Sequence, residues 1–168
     1  MKRWTEGHVH IRMRKVLRNE GFVLVAGEYP GGSDHELYPL CITDPAVACD
    51  LSPDPRRHSV GELIPDIVAL RGRCLLLGEA KLDYSESDRR KLEQLVEERE
   101  PHLRAALAKF AYERDRSELL PIEALELHPM LIFTDRKAWP RAPDRFSCLV
   151  LSEDGGYRIE GRLERTAQ

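Results

Sequence analysis

The chain has 168 residues, 42% of them hydrophobic and 33% charged, with a formal net charge of −3. That length suits a single domain over 1–168 with one sizeable core, and no apolar run approaches the ~20 residues of a membrane-spanning helix. The opening Met1-Lys2-Arg3-Trp4-Thr5-Glu6 leads straight into a helical pattern without an apolar signal core, so a cytoplasmic protein is the expectation. The slightly acidic balance excludes a uniformly basic nucleic-acid binder, so any phosphate-binding surface must be local.

Residues 5–19 are predicted to form a helix. Thr5 is a good N-cap, Trp4 and Val9 fit a hydrophobic staple, and Val9, Met13, Val16 and Leu17 make an apolar stripe. Gly21 ends the helix, and residues 22–26 read as a strand. The helix also carries a basic cluster that includes Arg12 and Lys15. From Gly27 to about Gly61 the chain is rich in proline, glycine and acids, which predicts a long loop or excursion with one short strand at 37–42. Cys41 and Cys49 fall inside it, at a spacing that matches no familiar zinc site.

Residues 64–70 and 74–81 read as two buried strands. Between them Gly72-Arg73 fits a two-residue type II′ turn, which requires glycine first. That turn pairs Arg71 with Cys74 and, further back along the hairpin, places Asp66 opposite Glu79. Opposed residues share a sheet face at roughly 4.5–5.5 Å between Cβ atoms, and Lys81, two residues beyond Glu79, falls on the same face. Two carboxylates side by side on an apolar sheet are costly unless a cation offsets them. The alternative is a structural salt bridge of Lys81 with either carboxylate.

A helix is predicted to start at Ser85 or Ser87, bury Leu92, Leu95 and Val96, and restart at Pro101 with Leu103, Leu107 and Phe110. Its first turns carry the basic run Arg89-Arg90-Lys91. Pro121 ends this region. Residues 127–133 form a strand reached by a helical crossover, hence a parallel neighbour of the strand holding Glu79. Residues 146–151 and 157–163 close the chain as a hairpin. This order predicts a three-layer α/β/α fold with a mixed central sheet.

Pro65-Asp66 followed by Glu79-Ala80-Lys81 on a hairpin, with a helix on either side, resembles the PD-(D/E)xK nuclease superfamily over roughly residues 4–133. The resemblance implies a restriction-endonuclease-like core and metal-dependent hydrolysis of phosphodiesters, most often in DNA, in settings such as restriction, phage defence or repair. It implies that Asp66, Glu79 and the Ala80 carbonyl hold Mg²⁺ or Mn²⁺, and that Lys81 orients or deprotonates the attacking water. Many members add a helix-one glutamate. His10 stands where it is expected, with Glu6 one turn earlier, so either Glu6 or His10 completes the site. Gln94 takes the position of a polar residue that points back from the following helix. Arg12, Lys15, Arg89, Arg90 and Lys91 are the candidate nucleic-acid contacts, and a homodimer or a subunit of a larger system is compatible with this size. Two other readings are a catalytically inactive nuclease-like module that binds nucleic acid or a partner protein, and an enzyme with other metal chemistry.

Overall fold

The computed structural model describes residues 4–27, 63–141 and 143–163. The predicted excursion, apart from Gly27 at its start, lies outside these residues together with Cys41 and Cys49. Helix α1 spans Glu6–Asn19 and is followed by β1, Val23–Gly27. Strands β2, Ile67–Arg71, and β3, Cys74–Ala80, form the expected hairpin. Helix α2 covers Glu86–Glu93, a π-helical turn Gln94–Glu98, and α3 Glu100–Glu113. Strands β4, Glu126–Thr134, β5, Ser147–Leu151, and β6, Tyr157–Gly161, complete the order.

The six strands make one mixed sheet in chain order, β1-β2-β3-β4-β5-β6. β1 and β2 are antiparallel, as are β2 and β3, while β3, β4 and β5 are parallel and β6 turns back on β5. Alternation along the strands divides the core. Val9, Met13, Val16 and Leu17 of α1 cluster with Ile67, Ala69, Leu76 and Ile132. Leu92, Leu95, Leu103, Leu107 and Phe110 cluster with Val68, Leu70, Leu75, Leu77 and Phe133. Helix α1 therefore covers one face of the sheet, and α2 with α3 covers the other. Val96, expected in the core, is only half-buried at its edge. Among the described residues no helix is long and apolar enough to cross a membrane.

Local rules account for most element ends. Thr5 caps α1, and its N–H donates to His8 Nδ1 at 3.1 Å, so a histidine fills the place usually taken by glutamate in a capping box. Gly21 leaves the helix at φ 81°. Ser85 rather than Ser87 caps α2, its hydroxyl accepting from Asp88 N–H at 3.2 Å. Pro101 cannot donate to the carbonyl one turn back. The continuous α-helix accordingly gives way to the π turn, closed by Arg99 N–H on Gln94 O at 3.0 Å, before α3 begins.

The hairpin register is as expected from its turn: Arg71 faces Cys74, and Ile67 faces Gly78. Gly72 carries φ 59°, and Arg73 is not in the left-handed region, which is the type II′ pattern. The strand starts differ. β2 begins at Ile67, not at residue 64, so Pro65 and Asp66 precede it. Proline has no N–H for the ladder, and the Asp66 carboxylate replaces the missing backbone acceptor: Ala80 N–H donates to Asp66 Oδ2 at 2.8 Å. At the far end of the chain, β6 stops at Gly161 rather than 163.

Gly78 makes room for side chains of the neighbouring strands on the α1 face of the sheet. A Cβ there would lie 2.6 Å from Ile67 Cγ2 and 2.8 Å from Ile132 Cδ1. Gly78→Ala is expected to destabilise the fold by about 1–3 kcal/mol through overpacking. Urea unfolding measures this, and a wild-type midpoint in the variant would refute this close packing.

Candidate active site

The carboxylates gather at the end of the sheet where β3 stops. Glu79 is the last inward-facing residue of β3 on the α2 side and is 3% exposed. Lys91, on α2, brings its ammonium to 2.7 Å from Glu79 Oε1. Burial is the main cause that pushes the Glu79 carboxyl up to about 8. The neighbouring Asp66 charge adds to this and Lys91 works against it. The Asp66 carboxyl is also raised, mostly by burial, against the Ala80 N–H and the charges of Lys91, His10 and Lys81. Two neighbouring acids that both hold their protons more tightly than usual lack enough positive charge.

Helix α1 approaches from the opposite face. His10 is 3% exposed, with Nε2 3.9 Å from Asp66 Oδ2 and a buried Nδ1 that has no hydrogen-bond partner. Lys81, expected beside Glu79, lies one residue past β3, and its ammonium reaches Glu6 Oε1 on α1 at 2.9 Å. That bond is the main cause raising the Lys81 pKa, with the charges of Asp66 and Asp88 assisting. The backbone around it is pinned to β4: Lys81 N–H donates to Ile132 O at 3.0 Å, and Thr134 Oγ1 donates to Leu82 O at 2.7 Å. By strand alternation Ala80 then turns its N–H and C=O toward β2, where Asp66 takes the N–H.

Five residues singled out from the sequence, Glu6, His10, Asp66, Glu79 and Lys81, are thus joined by direct contacts or close charges. Gln94 is not. It sits half-buried at the start of the π turn, and no side-chain hydrogen bond ties it to the carboxylates. Lys91, one turn earlier, is the residue that points back from the helix. Of the expected nucleic-acid contacts, Lys91 is therefore committed to Glu79. Arg89 is held by Glu86 at 2.8 Å and Glu93 at 2.9 Å, and Arg12 donates to Gly155 O. Lys15 and Arg90 are exposed.

Sequence reasoning missed Asp88. Its Oδ2 is buried without a partner, and its charge raises both Glu79 and Lys81. The three-residue spacing of Asp88 and Lys91 puts both on one face of α2. That spacing was the available signal, but only docking of α2 against β3 aims the face at Glu79.

Among the described residues, no three His, Cys, Asp or Glu side chains are grouped closely enough to hold one ion. The two carboxylates close enough for one to raise the other are Asp66 and Glu79. Compared with known proteins, the chain matches no family model, no curated protein and no solved structure.

Proposed function

We propose that this protein is a metal-dependent nuclease on a restriction-endonuclease-like core, acting on DNA in the cytoplasm. The observation that carries the reading is Glu79, buried in a sheet beside Asp66 with one lysine as its direct counter-charge. Such a pair is costly to keep unless it serves to hold a cation. Asp66 and Glu79, with the Ala80 carbonyl, would hold Mg²⁺ or Mn²⁺, which when bound supplies Lewis-acid polarisation of a phosphate and an acidified water. Lys81 donates hydrogen bonds to the water or to a phosphate oxygen. Glu6 keeps that ammonium at the sheet end, and His10 braces Asp66 from α1. Lys91 balances Glu79, and the Asp88 charge helps to keep Lys81 protonated.

A second reading has its own support: a nuclease-like module that binds nucleic acid or a partner without cutting. Glu79 and Glu6 are each closed by a lysine, as in a structural ion-pair network. Incubation with plasmid, linear and single-stranded DNA and with RNA, in Mg²⁺, Mn²⁺ or EDTA, separates the two. Cleavage that requires the cation and stops in EDTA is expected. Binding without cleavage in any arm would leave only the module. If cleavage is found, Lys81→Ala should lower its rate by about 10²-fold. Glu6→Gln and His10→Ala compare the two helix-one candidates: the larger loss identifies the residue that completes the site, and full activity in both removes α1 from it.

A further inference from the structure

The other end of the sheet carries the opposite charge. Where β3 and β4 begin, a cleft of about 340 Å³ is lined by Arg71, Arg73, Cys74, Glu126, His128 and Arg162. Glu79 lies five positions along β3 from Cys74, roughly 17 Å on a strand, so this cleft is distinct from the carboxylate site.

Two of its arginines, Arg71 and Arg73, are held in place by carbonyls without being neutralised. Arg71 Nη1 donates to Glu20 O at 2.9 Å, and its guanidinium lies 4.5 Å from the centre of the Phe22 ring. Arg73 spans three carbonyls, Ala124 at 3.4 Å, Leu120 at 3.1 Å and Pro121 at 2.5 Å. Carbonyl oxygens fix a guanidinium plane but leave its charge uncompensated. Arg162 meets Glu126, the one carboxylate among the described residues of the lining, at 3.3 Å, and both side chains are about half or more exposed, at 47% and 69%. Among the described residues the lining therefore sets three cations against one anion.

At the floor lies His128, 2% exposed, with Nε2 2.9 Å from Ser147 Oγ. The same oxygen accepts Leu163 N–H at 2.9 Å, which seats the imidazole. Burial first, then the charges of Arg162 and Arg71, bring His128 down to about 4, so the ring is neutral and senses the positive field of the cleft. Planar guanidiniums on fixed supports, in a concave site of net positive charge, match an oxyanion with several acceptor atoms.

We propose that this cleft is a binding site for a phosphate-sized oxyanion, either free phosphate or the phosphomonoester of a small molecule. The cleft shares no residue with the candidate active site, and oxyanion binding there is independent of nuclease activity.

The full chain is titrated with inorganic phosphate and with AMP at a constant ionic strength of about 0.15 M, with chloride as the control. The readout is the His128 imidazole NMR signal, assigned with His128→Gln. A saturable shift with phosphate but not chloride is expected, together with an upward move of the His128 titration midpoint. Response to phosphate alone restricts the ligand to the free ion, and response to AMP extends it to monoesters; either supports the site. Arg162→Gln should weaken binding by about fivefold, and Glu126→Gln should strengthen it by about twofold, the scale of single exposed charges. Both positions are exposed enough for the variants to fold. No saturable shift with either ligand overturns the proposal, and so does equal affinity in wild type, Arg162→Gln and Glu126→Gln.

Discussion

Asp66→Asn and Glu79→Gln are each expected to reduce cation-dependent cleavage by about 10³-fold, the scale of removing a fixed electrostatic anchor at a charged transition state. Both changes are nearly isosteric, and neither should unfold the protein. In Asp66→Asn the new amide oxygen can still accept from Ala80 N–H, the bond that Asp66 makes at 2.8 Å. Glu79→Gln replaces a carboxyl that burial already keeps largely protonated below pH 8 with a neutral amide of the same shape, and Lys91 beside it is partly exposed. Calorimetric titration with Mn²⁺ should show binding to wild type and at least about a tenfold weaker affinity in each variant, the loss expected when a metal-site residue is removed. Wild-type cleavage by either variant, with intact circular dichroism, would show that these carboxylates are structural.

The second large effect is on stability as a function of pH, measured in EDTA so that no divalent cation competes. Glu79 has a folded-state value of about 8 against an ordinary 4.5. The folded state therefore binds its proton more tightly, and the stability this contributes is present below 4.5 and lost as pH rises toward 8. Asp66 is shifted in the same direction. His128 does the reverse: its value falls from 6.5 to about 4, so stability rises with pH across that interval. Between 4.5 and 6.5 the two slopes oppose each other and the melting temperature should vary little. From 6.5 to 8 only the falling slope remains, and the fold should lose about 2 kcal/mol, the integral of one proton over that window. Glu79→Gln should abolish this fall and stay level above pH 6.5. Mg²⁺ should restore the wild-type melting temperature at pH 8 and leave the variant unchanged. A flat wild-type curve from 6.5 to 8 would mean that Lys91 keeps Glu79 ionised throughout.

The features legible in the residues alone are those that depend on short-range spacing. The stripe Val9, Met13, Val16 and Leu17 identifies the buried side of α1, because 3.6 residues per turn bring those positions together. Gly72 before Arg73 dictates the turn, and the turn dictates the register from Arg71 opposite Cys74 back to Ile67 opposite Gly78. The helical crossover predicts β4 as the parallel neighbour of β3, and Pro101 marks the restart of the helix. In each case the deciding residues are close in sequence or tied by a topological rule with few alternatives.

Where the long, charged side chains end depends instead on the assembled fold. Lys81 and Glu6 lie 75 positions apart, and nothing local chooses Glu6 over the nearer Glu79 as the partner. Lys91 rather than Gln94 reaches Glu79 because the docking of α2 sets which turn faces the strand end. The start of β2 also escaped, since Asp66 ends the ladder with its own carboxylate in place of a backbone carbonyl. The arginine cleft was invisible for the same reason: Arg71, Arg73 and Arg162 converge only once distant parts of the chain share one sheet. Flexible side chains have many rotamers of similar energy, and the choice among them falls to whichever distant element brings the compensating charge.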